Sequence, residues 1–118
     1  MPIITPIQIF KALSELTRLR CILLLLQEGN LCVCELTYAL ELPQPRVSHH
    51  LGKLRKAGLV SDQKSGQWIY YQLNPELPKW AVDILNTMLE GIKKEKPFNT
   101  DAQTLADMSN RPDIFCSV

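Results

Sequence analysis

Apolar residues recur at helical spacing along most of this chain and at strand spacing in one short stretch. Pro6 suits the first turn of a helix, where its missing N–H costs nothing, and Ile7, Ile9, Phe10 and Leu13 follow it as an apolar stripe. Ser14 interrupts the stripe and is placed to cap a second helix over 15–28. That helix carries Leu16, Leu19, Ile22, Leu23, Leu25 and Leu26, is apolar nearly all round at its centre, and is expected to be the buried helix of the core. Gly29 ends it. Asn30 then caps a short helix over 31–40, Leu42-Pro43 makes a turn, and a further helix starts at Pro45, runs to Ala57 and stops at Gly58. Beyond it the period changes. Leu59 to Lys64 is permissive for a strand, Ser65-Gly66 is a turn, and Gln67 to Leu73 is rich in strand formers, which predicts a β-hairpin with a Lys64-Ser65-Gly66-Gln67 tip. Asn74-Pro75 leads to a last long helix over 78–95 bearing Trp80, Ile84, Leu85, Met88, Leu89 and Ile92, closed by Pro97. Residues 98–118 show little periodicity beyond Leu105 to Met108 and read as a flexible tail with at most one helical turn.

Two short helices joined by a tight turn, the second polar and basic, followed by a basic-tipped hairpin, describe a winged helix-turn-helix. The fold class expected is therefore mainly α with a small β-hairpin. A length of 118 residues fits one domain, placed at 1–97, with the tail at 98–118. Apolar content of 46% and charge of 21% are ordinary for a soluble domain, and no basic segment with an apolar core opens the chain as a signal peptide would. The apolar run 21–26 is too short to span a bilayer, so the expected location is cytoplasmic. Four cysteines in a reducing compartment read as ligands or packing residues rather than a disulfide framework.

The net charge of +1 does not decide whether the chain binds nucleic acid, but its placement does bear on it. Residues 44–67 hold Arg46, Lys53, Arg55, Lys56 and Lys64 against one acid, Asp62. On the helix from Pro45, Val47, His50, Leu51 and Leu54 share an inward face, while Arg46, His49 and Lys53 share the opposite one. Gln44 and Ser48 flank them near the helix start, where reading helices touch base edges. Arginine can take a guanine bidentately and glutamine an adenine. Ser48 suits a base or a phosphate, and Lys64 and Gln67 at the hairpin tip suit a neighbouring phosphate or the minor groove. A solvated polar face explains the helix alone; helix, turn, polar helix and basic hairpin in that order favour double-stranded DNA. His49 and His50 point about 100° apart on a helix, so one ion would not easily take both. Trp68 and Tyr70 fall on one face of the hairpin, and packing against the helices explains them better than base stacking does.

The chemistry concentrates at Cys32-Val33-Cys34. Thiolates select soft ions, and the first turn of a helix lowers a thiol's pKa, an effect Glu35 slightly opposes. In an undistorted helix, residues i and i+2 point about 200° apart, so one ion taking both sulfurs requires the helix start to deform. Cys21 lies inside the buried helix and reads as a packing residue. No phosphate loop, nucleophile elbow or paired-carboxylate arrangement supports an enzyme. A thiol redox protein is the contrasting class, but redox dithiols more often use Cys-x-x-Cys beside a βαβ pattern that is missing here.

The series Leu31-Cys32-Val33-Cys34-Glu35-Leu36, then Gln44-Pro45-x-Val47-Ser48-x-His50-Leu51-x-x-Leu54-Arg55-x-x-Gly58-Leu59, then Gly66-x-Trp68-x-x-Tyr71-x-Leu73, resembles the ArsR/SmtB family of metal-responsive repressors, above all its arsenic-responsive branch. The resemblance covers about residues 7–92. It implies a homodimer paired through the first and last helices, here Ile7, Phe10, Trp80, Ile84 and Met88, and repression of a detoxification operon relieved by an inducer. Similar arsenic-responsive members often carry a third cysteine three positions after the second, where this chain has Thr37. The last helix lacks the histidine that zinc-sensing members use, and no cysteine precedes Cys21 as in members that sense cadmium and lead. The expected inducer is thus trivalent arsenic or antimony, with no permanent cofactor. Inorganic arsenic prefers three thiolates, so the third would come from Cys116 or an external thiol; a mono-organic arsenical needs only two. Cadmium, lead and thiol oxidation are the remaining alternatives within the same fold.

Overall fold

The computed structural model describes residues 4–108. In chain order it comprises α1 (Pro6–Leu13), α2 (Leu16–Glu28), β1 (Asn30–Cys32), α3 (Val33–Leu40), α4 (Gln44–Lys56), β2 (Val60–Ser65), β3 (Trp68–Leu73), α5 (Lys79–Ile92) and α6 (Phe98–Ala106). The mainly helical fold with a small antiparallel sheet is as expected. None of these helices is long and apolar enough to cross a membrane.

The local signals act much as their chemistry dictates. Thr5 and Gln8 close a reciprocal capping box at the start of α1, with N–H to side-chain oxygen distances of 2.8 and 3.2 Å. Ser14 does not cap α2. Its N–H and its hydroxyl both donate to the carbonyl of Lys11, closing α1 instead. The cap of α2 is Glu15, whose Oε1 accepts the N–H of Arg18 at 3.1 Å and adds a negative charge to the positive end of the helix. Gly29 and Gly58, with φ of 90° and 85°, take the positive-φ turns that end α2 and follow α4.

The core forms around α2, whose Cys21 to Leu25 are all buried. Against it pack Leu31, Leu36 and Leu40, then Val47, Leu51 and Leu54 of α4, and Ala81 and Leu85 of α5. The hairpin joins this core through Tyr71 and Leu73, the face opposite to Trp68 and Tyr70. Packing of the hairpin on the helices is thus correct, but the alternate face does it.

Two expectations are corrected. Asn30 is not a helix cap: residues 30–32 form an edge strand, and the sheet order is β1-β3-β2. Asn30 pairs with Gln72, Leu31 with Tyr71 and Cys32 with Tyr70. Burying Leu31 against Tyr71 and the core favours the extended form there over one more helical turn. Nor is the chain after Pro97 a tail throughout. Residues 98–106 form a helix lying against α2 and α3, with Phe98, Asp101 and Leu105 buried. Asp101 is tolerated inside because Arg20 holds both its oxygens, at 2.7 and 2.8 Å, while donating to the carbonyl of Leu40 at 3.0 Å.

Candidate functional site

Cys32 is the last residue of β1 and, in extended conformation, the N-cap of α3. Its N–H donates to Glu35 Oε1 at 2.9 Å, the reach-back half of a capping box. Because Cys32 is outside the helix, the 200° separation expected of two helical positions does not apply. Its Sγ lies 3.4 Å from Sγ of Cys34. Taking roughly 2.3 Å as the scale of a soft metal–thiolate bond, two such bonds meeting at about 95° span that gap. One thiophilic atom fits between the sulfurs without unwinding the helix, so the expected deformation is not required for binding. Cys32 is buried and Cys34 half-buried. Thr37 Oγ1 donates to the carbonyl of Val33 at 2.8 Å and is absorbed in the helix. Cys116 lies outside the described residues. Cys21, completely buried, is a different kind of thiol: burial pushes its pKa up to about 12, which keeps it protonated and inert.

The helix-turn-helix is α3 and α4, joined by Glu41 to Pro43. Glu41 closes α3 in the left-handed region, at φ 56°, and its N–H donates to the carbonyls of Thr37 and Tyr38. On α4, Val47, Leu51 and Leu54 are buried, which turns the other face outward. Gln44, Arg46, Ser48, His49 and Lys53 are all exposed on it, as are Lys64 and Gln67 of the hairpin. Arg55 is drawn off by Asp62 at 3.0 Å, so the lone acid of this segment neutralises a cation outside the reading stripe.

Residues 16–62 match the family described as bacterial regulatory protein, arsR family. Over 112 residues the chain is 48% identical to the arsenic resistance transcriptional regulator ArsR1 of Pseudomonas putida, a match spanning 93% of this chain and 84% of that protein. The chain belongs to the arsR family. It is also 48% identical over 86 residues to the arsenical resistance operon repressor of Escherichia coli, covering 73% of this chain and 74% of the relative. Among solved structures, HlyU from Vibrio cholerae superposes with a TM-score of 0.64 at 31% identity, over 71% of this chain and 87% of that one. The fold is that of a winged helix-turn-helix transcriptional regulator of this family, with β2 and β3 as the wing and α3 and α4 as the DNA-binding helix pair.

His50 faces inward as expected. Arg18 Nη1 donates to its Nδ1 at 3.1 Å, which leaves the proton on Nε2, 3.7 Å from a carboxylate oxygen of Glu15. Burial, together with the positive charges of Arg18, His49 and Arg46, holds its pKa below the usual histidine value despite the attraction of Glu15. His50 is therefore a neutral strut between α2 and α4. His49 is exposed, its ring edge-on to that of His50.

The five residues expected at a dimer surface split by exposure. Ile7, Phe10 and Trp80 are 74%, 55% and 40% exposed, high values for large apolar side chains, while Ile84 and Met88 are half-buried. The sequence reading missed Glu35 as the anchor of Cys32; the signal was present, since cap and N3 glutamate three residues apart are the capping-box spacing.

Proposed function

We propose that this protein is a homodimeric repressor of an arsenic-resistance operon, released from its operator when trivalent arsenic or antimony binds Cys32 and Cys34. The observation that carries the reading is the 3.4 Å sulfur pair at the joint between β1 and α3. The names of the two relatives above support the class of inducer. The exposed apolar residues of α1 and α5 support pairing of two copies through Ile7, Phe10, Trp80, Ile84 and Met88.

With arsenous acid, each new arsenic–sulfur bond replaces an arsenic–hydroxyl bond and releases one water, the thiol supplying the proton. The pair sits where both DNA-facing parts meet. Cys32 is in register with Tyr70 of the wing strand, and α3 leads through the turn into α4. A ligand that favours a slightly different sulfur geometry therefore bears on wing and reading helix together. Two reading heads must meet major grooves about 34 Å apart, so small shifts weaken binding. Linkage then requires that the inducer bind the displaced arrangement better, by a few kcal/mol.

Thr37 is engaged by the backbone of its own helix, and this favours a second inducer class, a mono-organic arsenical, which needs only two sulfurs. A labelled operator duplex titrated with arsenite, methylarsenite, antimonite, cadmium and zinc separates the readings. The wild type releases DNA with the trivalent metalloids; Cys32→Ser and Cys34→Ser bind DNA and do not release it. If both variants still release DNA with arsenite, the site is wrong. An arsenite response unchanged in Cys116→Ser removes that residue as a third ligand. Release by oxidant alone favours a redox sensor.

A further inference from the structure

Away from the sulfurs, Lys11 of α1, Arg18 of α2, and Lys53 and Lys56 of α4 line one recess of about 340 Å³. The rest of its wall is Gln8 and two alanines, with no carboxylate. The three lysines are exposed, and none forms an ion pair among the described residues. Arg18 is fixed in place, its Nε donating to the carbonyl of Ala12 at 2.6 Å and its Nη1 to His50. Arg18 has the carboxylate of Glu15 near it, but the three lysines around the hollow have none and repel each other, and an anion in it relieves that repulsion.

Its position says which anion. Lys53 belongs to the outward stripe of α4 with Arg46 and His49, and Lys56, three residues further, extends that stripe into the recess. On the other side, Gln8, Lys56 and Ala57 also line the adjoining hollow bounded by exposed Trp80. The basic recess thus lies between the reading stripe and the apolar patch assigned to pairing. In a two-fold dimer joined at that patch, two such recesses flank the axis, between the two reading helices. There an operator presents the backbone that links its half-sites. We propose that Lys11, Arg18, Lys53 and Lys56 clamp phosphates of this central segment, adding Lys11, Arg18 and Lys56 to the DNA-contacting set. The inference rests on the dimer and reading-helix assignments above.

The test uses the exposed lysines, so that folding is preserved, and measures operator affinity across a salt series. Each phosphate contact contributes about 0.9 to the slope of log affinity against log salt, so Lys11→Gln with Lys56→Gln should reduce its magnitude by about 1.8. Affinity should fall by the same factor for operator and unrelated duplex, the double arginine variant should restore both, and arsenite binding to the DNA-free protein should stay unchanged. Neutral methylphosphonates at the central positions should weaken the wild type more than the double variant, which keeps Arg18 and Lys53. An unchanged slope, or sensitivity to flanking rather than central methylphosphonates, overturns the assignment. So does inorganic phosphate that binds the recess, followed by amide shifts, and stays bound in the operator complex; that result makes it a small-oxyanion site. Arg46→Ala separates the two levels. If it leaves operator binding intact, the reading-helix assignment fails. If it weakens binding while the lysine variant keeps its slope, the recess alone fails.

Discussion

The two ends of α3 are held by different kinds of chemistry. At its C-terminal end Arg20 ties the Leu40 carbonyl to the buried carboxylate of Asp101, and α6 lies against the helix as a brace. At its N-terminal end the joint includes the N–H bond from Cys32 to Glu35, the three-residue edge strand β1 and a pair of sulfurs 3.4 Å apart. In the proposed switch the braced end is the fulcrum and the thiol end, across the eight residues of α3, is the part that moves. On that proposal a pull at the sulfurs is passed into wing and turn.

The strongest way to break this contrast is to free the braced end. Asp101→Ala leaves Arg20 with an unmatched charge in a mostly buried setting, and removing one partner of such a pair costs roughly 3–5 kcal/mol. Urea unfolding should show the loss in its midpoint, and Asp101→Asn should lose less because it keeps a hydrogen bond. If Asp101→Ala melts like the wild type, α6 is no brace.

A smaller effect is expected at the other end. Glu35→Ala removes the reach-back bond to Cys32, and losing a helix cap interaction costs about 1 kcal/mol. Amide exchange should quicken around residues 31–36 and stay unchanged around Leu40. Equal quickening at both ends would mean that α3 has no lightly held end.

The mildest probe is pH, acting on the strut between α2 and α4. The folded-state pKa of His50 lies below its ordinary 6.5, so the unfolded chain binds the proton more readily. Its contribution to stability is complete above about pH 6.5 and shrinks as pH falls through the folded-state value. Glu15 adds a loss at lower pH. Although its burial works to raise its pKa, the N–H of Arg18 and the charge near His50 bring it below the ordinary 4.5, so its contribution too is present above that value and lost on acidification. His50→Gln should flatten the first of these limbs in melting curves taken across the range.

Most of the fold was legible because α2, α4 and α5 each bury a stripe at helical spacing, Gly29 and Gly58 mark helix ends and Gly66 the hairpin turn; α1 buries Ile9 and Ala12 instead and leaves Ile7 and Phe10 exposed. What was missed has particular causes. Three residues are too few to show alternation, and β1 exists only through pairing with residues forty positions downstream, so Asn30 was read by its local preference. In α6, Phe98, Ala102 and Leu105 do recur at helical spacing, but Asp101 on the same face hid the stripe; its partner Arg20 lies 81 positions away. The two cysteines were placed wrongly relative to each other, because one residue of helix boundary decides whether they face apart or touch. All seven residues expected to face DNA are exposed, since burial of Val47, Leu51 and Leu54 fixes which way α4 is turned.

The shortness of β1 also has a consequence for speed. A ladder of three residues can open and re-form locally, at a free energy far below that of global unfolding. Rearrangements of this size run in microseconds to milliseconds. For the proposed inducer, exchange of hydroxide or thiol on the metalloid is then expected to be the slow step. If the proposed inducer binds Cys32 and Cys34, the time needed to respond and to reset is set by bond making and breaking at sulfur.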